Sequence, residues 1–180
     1  GVDIHKQRAR ILDAHTVELA DGQRITAKHI LIAVGGRPQL PGIPGQELGM
    51  ISDDLFTMER LPGRVLVVGG GFIACEFATI LKGLGSDTVL AYRGDAVLRG
   101  FDDEMRRHVT EQLRMIGVDL RLGTAPERLD REGASSVRVT FKDGSSEVFD
   151  AVMFATGRAP YTQGLGLEEL GVKLGRKGEI

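Results

Sequence analysis

The sequence predicts an α/β fold in which a parallel sheet, covered by helices, is interrupted by an antiparallel β-meander. Three observations carry that prediction. A β-branched run, Val65 to Val68, enters a turn reading Gly69-x-Gly71-x-x-Ala74, and an apolar segment of helical spacing follows at once. Strand and helix patterns then alternate as βαβαβ. Finally, four short runs separated by turn signals occupy residues 118–149, and one more apolar strand spans Ala151 to Ala155. This order describes a Rossmann-like half with an antiparallel excursion and a returning strand.

Taken in order, residues 1–34 read as strands and turns. Thr16 to Leu19 alternates in polarity, Asp21-Gly22 is a hairpin signal, and His29 to Ala33 has the continuous apolar character of a buried strand. Gly35-Gly36-Arg37-Pro38 and Pro41 to Gly45 stack residues that resist both helix and sheet, which predicts a linker or crossover. Asp53 to Leu61 predicts a short helix ended by Pro62-Gly63.

Beyond these, a strand over 64–69 feeds a helix over 71–84, with Gly83 and Gly85 as its stop. A strand over 87–92 precedes a second helix. That helix starts at Asp102 or Asp103, runs to Ile116 and has Gly117 just past its end. Strands over 118–122, 126–130, 136–141 and 146–149 follow, the last two joined at Asp143-Gly144. Ile30 to Gly36 and Val152 to Gly157 are two similar strand-to-glycine exits. They bracket the central region, which divides the chain into residues 1–36, 37–157 and 158–180 and is the pattern of a domain inserted into a larger fold.

Composition narrows the classes of function. A net charge of −2 supplies no basic field, which argues against a nucleic-acid partner. The longest apolar run, around Val65 to Cys75, is broken by glycines and shorter than the roughly 20 residues of a membrane span. No signal-peptide pattern is read, and the single cysteine, Cys75, excludes an internal disulfide framework, so a cytoplasmic setting is expected. The four histidines are scattered without metal-ligand spacing.

The chemistry concentrates at the glycine turn. Gly69 permits a tight turn, Gly71 removes the Cβ that would strike a pyrophosphate, and Ala74 permits close packing of helix on strand. A dinucleotide site is therefore expected, with backbone N–H groups and a helix N-terminus receiving the phosphates. A unit that binds NAD carries an acid about 20 residues on, which holds the ribose 2′-hydroxyl. Here that place falls on Tyr92 and Arg93, with Arg99 following. Guanidinium groups bind a 2′-phosphate bidentately, which points to NADPH. Two rival readings remain open: Asp95 as the ribose acid, and the two arginines as solvated loop residues.

Glu76, in the first turns of the same helix, either complements the helix dipole or faces a functional partner such as a lysine. Cys75 reads as an inert core residue. Asp102, Asp103 and Glu104 read as cap and dipole residues, and Arg106 with Arg107 as a solvated face.

Val67 to Phe77 (VVGGGFIACEF), Tyr92 to Asp102 (YRGDAVLRGFD) and Phe154 to Pro160 (FATGRAP) together resemble the glutathione reductases, within the FAD-dependent pyridine nucleotide–disulfide oxidoreductases. The resemblance covers essentially the whole chain. It implies that Arg93 and Arg99 are the signature for NADPH, where the related lipoamide dehydrogenases have an acid at the position of Tyr92. It also implies that Phe72 or Ile73 covers the nicotinamide, that Glu76 orients the hydride-transfer region, and that Gly157 and Arg158 lie at the exit toward the flavin.

Residues 1–36 and 158–180 would then be strands of the FAD domain, flanking an NADPH-binding domain at 37–157. The family passes hydride from NADPH through FAD and a redox disulfide to oxidised glutathione, as a homodimer. No flavin-binding Gly-x-Gly-x-x-Gly near the start, no Cys-x4-Cys pair and no His–Glu acid pair occur in this sequence. An internal fragment is thus expected, one that binds NADPH but does not catalyse alone. Phe72 stands where glutathione reductases usually have tyrosine, Val34 where they have threonine, and Tyr161 where they have asparagine. Trypanothione, mercuric or other disulfide-type reductases of the family are therefore alternatives, as is an isolated nucleotide-binding module.

Overall fold

The computed structural model describes residues 1–180. The chain forms two compact units, one from Gly1–Arg37 with Arg158–Ile180 and the other from Pro38–Gly157.

In the first unit, β1 (Ala9–Ile11), β2 (Thr16–Leu19) and β3 (Arg24–Thr26) form an antiparallel sheet. Asp21-Gly22 turns β2 into β3, with Gly22 at φ 85° where a side chain would be strained. The apolar run His29 to Ala33 is not a strand, and Leu31 is 89% exposed. Hydrophobicity alone does not make a strand. The backbone groups need a neighbour, and no strand of this chain pairs with the run.

The predicted linker at Gly36 is in part a strand. β4 (Gly36–Pro38) pairs with β12 (Arg158–Pro160), and a Cβ on Gly36 would stand 2.9 Å from the Ala159 carbonyl oxygen. Glycine lets the two backbones approach, and a two-stranded ribbon tolerates the proline that a central strand would reject. The Arg37 guanidinium stacks 3.2 Å from the Tyr161 ring centroid and that of Arg8 4.4 Å from it.

The second unit opens with a 3-10 turn, Gln46–Leu48, and α1 (Ser52–Leu55), shorter than the predicted helix. β5 (Arg64–Val68), α2 (Phe72–Gly83), β6 (Asp87–Tyr92), α3 (Asp103–Met115) and β7 (Asp119–Leu122) then alternate. A meander follows as β8 (Pro126–Glu132), β9 (Ser136–Phe141) and β10 (Ser146–Phe149), and β11 (Ala151–Phe154) returns. The strands β11-β5-β6-β7 form a parallel sheet with β5 inside, and β10-β9-β8 form a separate antiparallel sheet. Asp102 caps α3 by accepting from the N–H groups of Glu104 and Met105 at 2.9 and 3.2 Å. Gly83 is the last residue of α2 rather than its stop, and Gly85 at φ 104° makes the turn beyond it.

Three layers result, and the period of two along the strands assigns each side chain to one. Val65, Val67, Leu90 and Met153 face the helices, where they meet Ala74, Ala78, Leu81 and Leu113. Leu66, Val68, Val89, Ala91, Val152 and Phe154 face the meander and pack on Leu129, Val139, Phe141 and Phe149. A sheet buried on both faces needs a continuous apolar run, and that is what RVLVV and AVMF supply.

The layers are also tied by charge. Glu147 of β10 accepts from Arg64 Nη2 of β5 at 2.6 Å and from Arg121 Nη1 of β7. These two arginines hold the Glu147 carboxyl below its usual range, Arg121 contributing most, against the opposing effect of partial burial. Because the folded-state value is lowered, this stabilisation is complete above the ordinary glutamate range. It is lost as pH falls through the lowered value. Glu147→Gln should therefore cost about 1–2 kcal/mol at pH 7, read from urea unfolding, and the variant should lose less stability than the wild type between pH 5 and pH 3.

Candidate functional site

The site is set by where β5 ends. Parallel strands deliver their chains to one edge of the sheet, and α2 and β11 diverge on opposite sides of β5 there, which opens a crevice. A cleft of about 540 Å³ lies at this edge, within the 38–157 unit. Its floor is Gly69 to Gly71. Its walls are Tyr92, Arg93 and Arg99 after β6, Ala155 to Gly157 after β11, Gln39 to Pro41, and Lys142 from the β9–β10 hairpin.

The three glycines serve different purposes. Gly69 has φ 141°, and a Cβ there would stand 2.3 Å from the Ala155 carbonyl oxygen. A Cβ on Gly70 would stand 2.4 Å from the ring of Tyr92, and one on Gly94 would stand 2.5 Å from the same ring. Gly71 is different, because nothing lies within 4 Å of a Cβ built on it. Its neighbourhood is open space beside the first turn of α2, whose N-terminus has no side-chain cap. The N–H groups of that turn are free to meet an anion.

The loop between β6 and α3 is anchored to the same turn. The Leu98 N–H donates to the Gly70 carbonyl at 2.6 Å, and Leu98 is the one non-glycine residue at positive φ, 57°. Val97 and Leu98 are buried, so the loop is rooted in the core while Arg93 and Arg99 on either side reach the cleft. On the opposite wall Gln39 N–H donates to the Gly157 carbonyl at 2.8 Å, and the Thr156 hydroxyl donates to the Gln39 carbonyl. Arg93, Arg99 and Lys142 line the cleft, and no carboxylate does. Asp95 turns instead to Arg106, 3.3 Å away, and is 95% exposed.

Of the residues singled out from sequence, Gly69, Gly71, Arg93, Arg99 and Gly157 therefore meet in one cleft. Phe72, Ile73, Ala74 and Glu76 lie on the first turns of α2, outside the cleft lining: Phe72 and Glu76 exposed, Ile73 half-buried, Ala74 fully buried against β5. Arg158 belongs to the other unit, where its guanidinium donates to the Gly36 carbonyl.

Three features were missed by sequence reasoning. Lys142 carries no motif and reaches the cleft only through hairpin geometry. Tyr92 marks a missing acid in the sequence, yet it is also the ring on which the glycine turn packs. Arg106 is not a solvated residue, since its side chain is only 21% exposed. Burial, and after it the Glu76 carboxylate, pushes the Cys75 thiol up to about 11, which leaves it protonated and unreactive near neutral pH.

Comparison with known proteins agrees with this geometry. The family model described as pyridine nucleotide-disulphide oxidoreductase matches residues 1–180. The chain belongs to that family. Among its relatives, the glutathione reductase of Burkholderia cepacia is 47% identical over 181 residues, which span all of this chain and 40% of that protein. The chloroplastic/mitochondrial glutathione reductase of Pisum sativum is 42% identical over the whole chain and 32% of its own length. The trypanothione reductase of Leishmania donovani is 38% identical over 100% and 39%. The chain thus spans about two-fifths or less of these relatives.

Among solved structures, the HOCl-induced flavoprotein disulfide reductase RclA from Escherichia coli superimposes with a TM-score of 0.87 at 27% identity. The match covers 98% of this chain and 41% of RclA. As a member of the pyridine nucleotide-disulphide oxidoreductase family, the protein keeps a Rossmann-like unit whose glycine turn is held by contacts at Gly69 and Gly70 and left open at Gly71. Gly70→Ala should accordingly destabilise the fold by about 1–3 kcal/mol through the clash with Tyr92, whereas Gly71→Ala should leave the thermal midpoint within about a degree or two. Thermal melts of the two variants check the contrast.

Proposed function

We propose that the 38–157 unit binds NADPH in the cleft at the end of β5, as the nucleotide-binding portion of a glutathione reductase-type enzyme. The observation that carries this reading is the make-up of the cleft. Three cations and an open helix N-terminus surround it, and no carboxylate does. The residues fit the cofactor. The space beside Gly71 and the N–H groups of Phe72, Ile73 and Ala74 would receive the pyrophosphate. Arg93 and Arg99 would grip the 2′-phosphate as forked donors, with Lys142 as a further positive charge. Asp95, which could compete as a ribose ligand, is engaged by Arg106.

When bound, NADPH supplies a hydride that in this family passes through flavin to a disulfide. What this chain contributes is holding and orienting the nucleotide. Gly69 and Gly70 keep the turn tight, Ala74 lets α2 press on β5, and Tyr92 with residues 155–157 walls the cleft. Phe72 is half exposed at 55%, beside the free end of α2, and would cover the nicotinamide, with Glu76 one turn further along. The single cysteine leaves the chain without a redox pair, so it should bind NADPH without reducing oxidised glutathione by itself. Phe72 favours a second reading in which the parent protein takes a trypanothione-like disulfide. Assaying the full-length parent with both disulfides separates the two.

The nucleotide reading is tested by fluorescence titration with NADPH and NADH. NADPH should bind at least roughly tenfold more tightly, and equal affinities would overturn the assignment. Arg93→Ala and Arg99→Ala should each weaken NADPH by roughly 10- to 100-fold, the range of a hydrogen bond to a charged group, with NADH little changed. Gly71→Ala should abolish binding of both nucleotides although it leaves the fold intact, because its methyl group occupies the space the phosphates need.

A further inference from the structure

Arg93 and Arg99 are six residues apart on an irregular loop, and neither has an ion-pair partner in the structure. Two free guanidinium groups on a mobile loop would bind a phosphate poorly, since the loop's ordering would be charged against binding. Something must hold the loop beforehand, and the side chain that does so most extensively is Arg106, on the first turns of α3. Its Nη1 donates to Asp103 at 2.8 Å, and its Nη2 to Asp95 at 3.3 Å and to the Ala96 carbonyl at 3.4 Å. Its Nε donates to the Val97 carbonyl at 3.3 Å.

Thr110, one turn further along α3, completes the grip. Its hydroxyl donates to the Arg106 carbonyl at 2.7 Å and accepts from the Val97 N–H at 3.4 Å. The backbone of Ala96 and Val97 is thus fastened to α3 at three points and the Asp95 side chain at a fourth, while the next N–H, that of Leu98, is fastened to Gly70.

We infer that Arg106 is a positioning residue for cofactor selection. By clamping residues 95–97 to α3 it pre-sets Arg93 and Arg99 around the 2′-phosphate, and by pairing with Asp95 it keeps a carboxylate from that phosphate. Planarity suits arginine to the task. One fork reaches two carboxylates and two carbonyls together, which an ammonium group at a single point does not. The inference rests on the reading of the cleft as an NADPH site. It separates Arg106 from Arg107, the next residue, which is exposed and has no such partners.

The test compares wild type, Arg106→Gln, Arg106→Lys, Arg107→Gln, Thr110→Val and Arg99→Ala by titration with NADPH and NADH, with a thermal melt of each. Arg106→Gln should lose roughly tenfold in NADPH affinity, as expected for a site left less pre-organised, with NADH unchanged. Arg106→Lys should recover only part of the loss, and Arg107→Gln should match wild type. Thr110→Val removes the acceptor of the Val97 N–H with little change of volume. It should lower NADPH affinity a few-fold and spare NADH, so the inference stands or falls even where Arg106→Gln fails to fold. A purely structural role would lower the melting temperature and weaken both nucleotides alike, and that result overturns it. So does an unchanged NADPH-to-NADH ratio in Arg106→Gln and Thr110→Val while Arg99→Ala lowers that ratio. If wild type shows no preference for NADPH, this inference falls together with the functional reading on which it rests.

Discussion

The close approach of three chain segments at the end of β5 is the constraint on which the rest depends. The Ala155 carbonyl lies where a side chain on Gly69 would be, and the Tyr92 ring lies where one on Gly70 would be. Any methyl group at either position separates the turn from β11 or from β6. The turn can then no longer carry α2 directly off the sheet with its N-terminus aimed into the crevice. Two glycines are consumed by packing, so that the third, Gly71, can face open space. The cleft is thus a by-product of tight packing around it, and its opening lies at the one position where nothing has been brought close.

Charge follows from the same architecture. The parallel sheet sends the β5, β6 and β11 exits to one edge, and the meander brings its own hairpin to that edge from the other face. Arg93, Arg99 and Lys142 reach the cleft from different elements, and the one nearby carboxylate in the β6–α3 loop is drawn away by Arg106. Away from this edge, ion pairs do structural work. Glu147 links β10 to β5 and β7, joining the meander to the parallel sheet across a boundary that side-chain alternation has otherwise made apolar.

Much of this was legible in the residues. The β-branched run of β5, the glycine spacing, the Asp102 cap and the Asp143-Gly144 turn are local signals, and each states its own geometry with little reference to distant parts. The readings that failed depended on partners. His29 to Ala33 has the composition of a buried strand but no strand beside it, and Gly36 to Pro38 has the composition of a linker but meets Arg158 to Pro160. Arg106 sits in a polar stretch of α3 that looks solvated until the loop before it folds back onto that face. Lys142 was invisible because the distance from residue 142 to residues 93 and 99 is a property of the sheet, not of any local pattern.

The sequence by itself determined the class of fold, the location of the glycine turn and the absence of an acid at the position of Tyr92. These are set by steric and hydrogen-bonding needs that act within a few residues. Only the tertiary structure decided which glycine is packed and which is open, which arginines reach the cleft and which one clamps the loop, and which apolar run finds a neighbour. Those outcomes depend on atoms brought together from segments tens of residues apart. A side chain's role there follows from what has been packed against it.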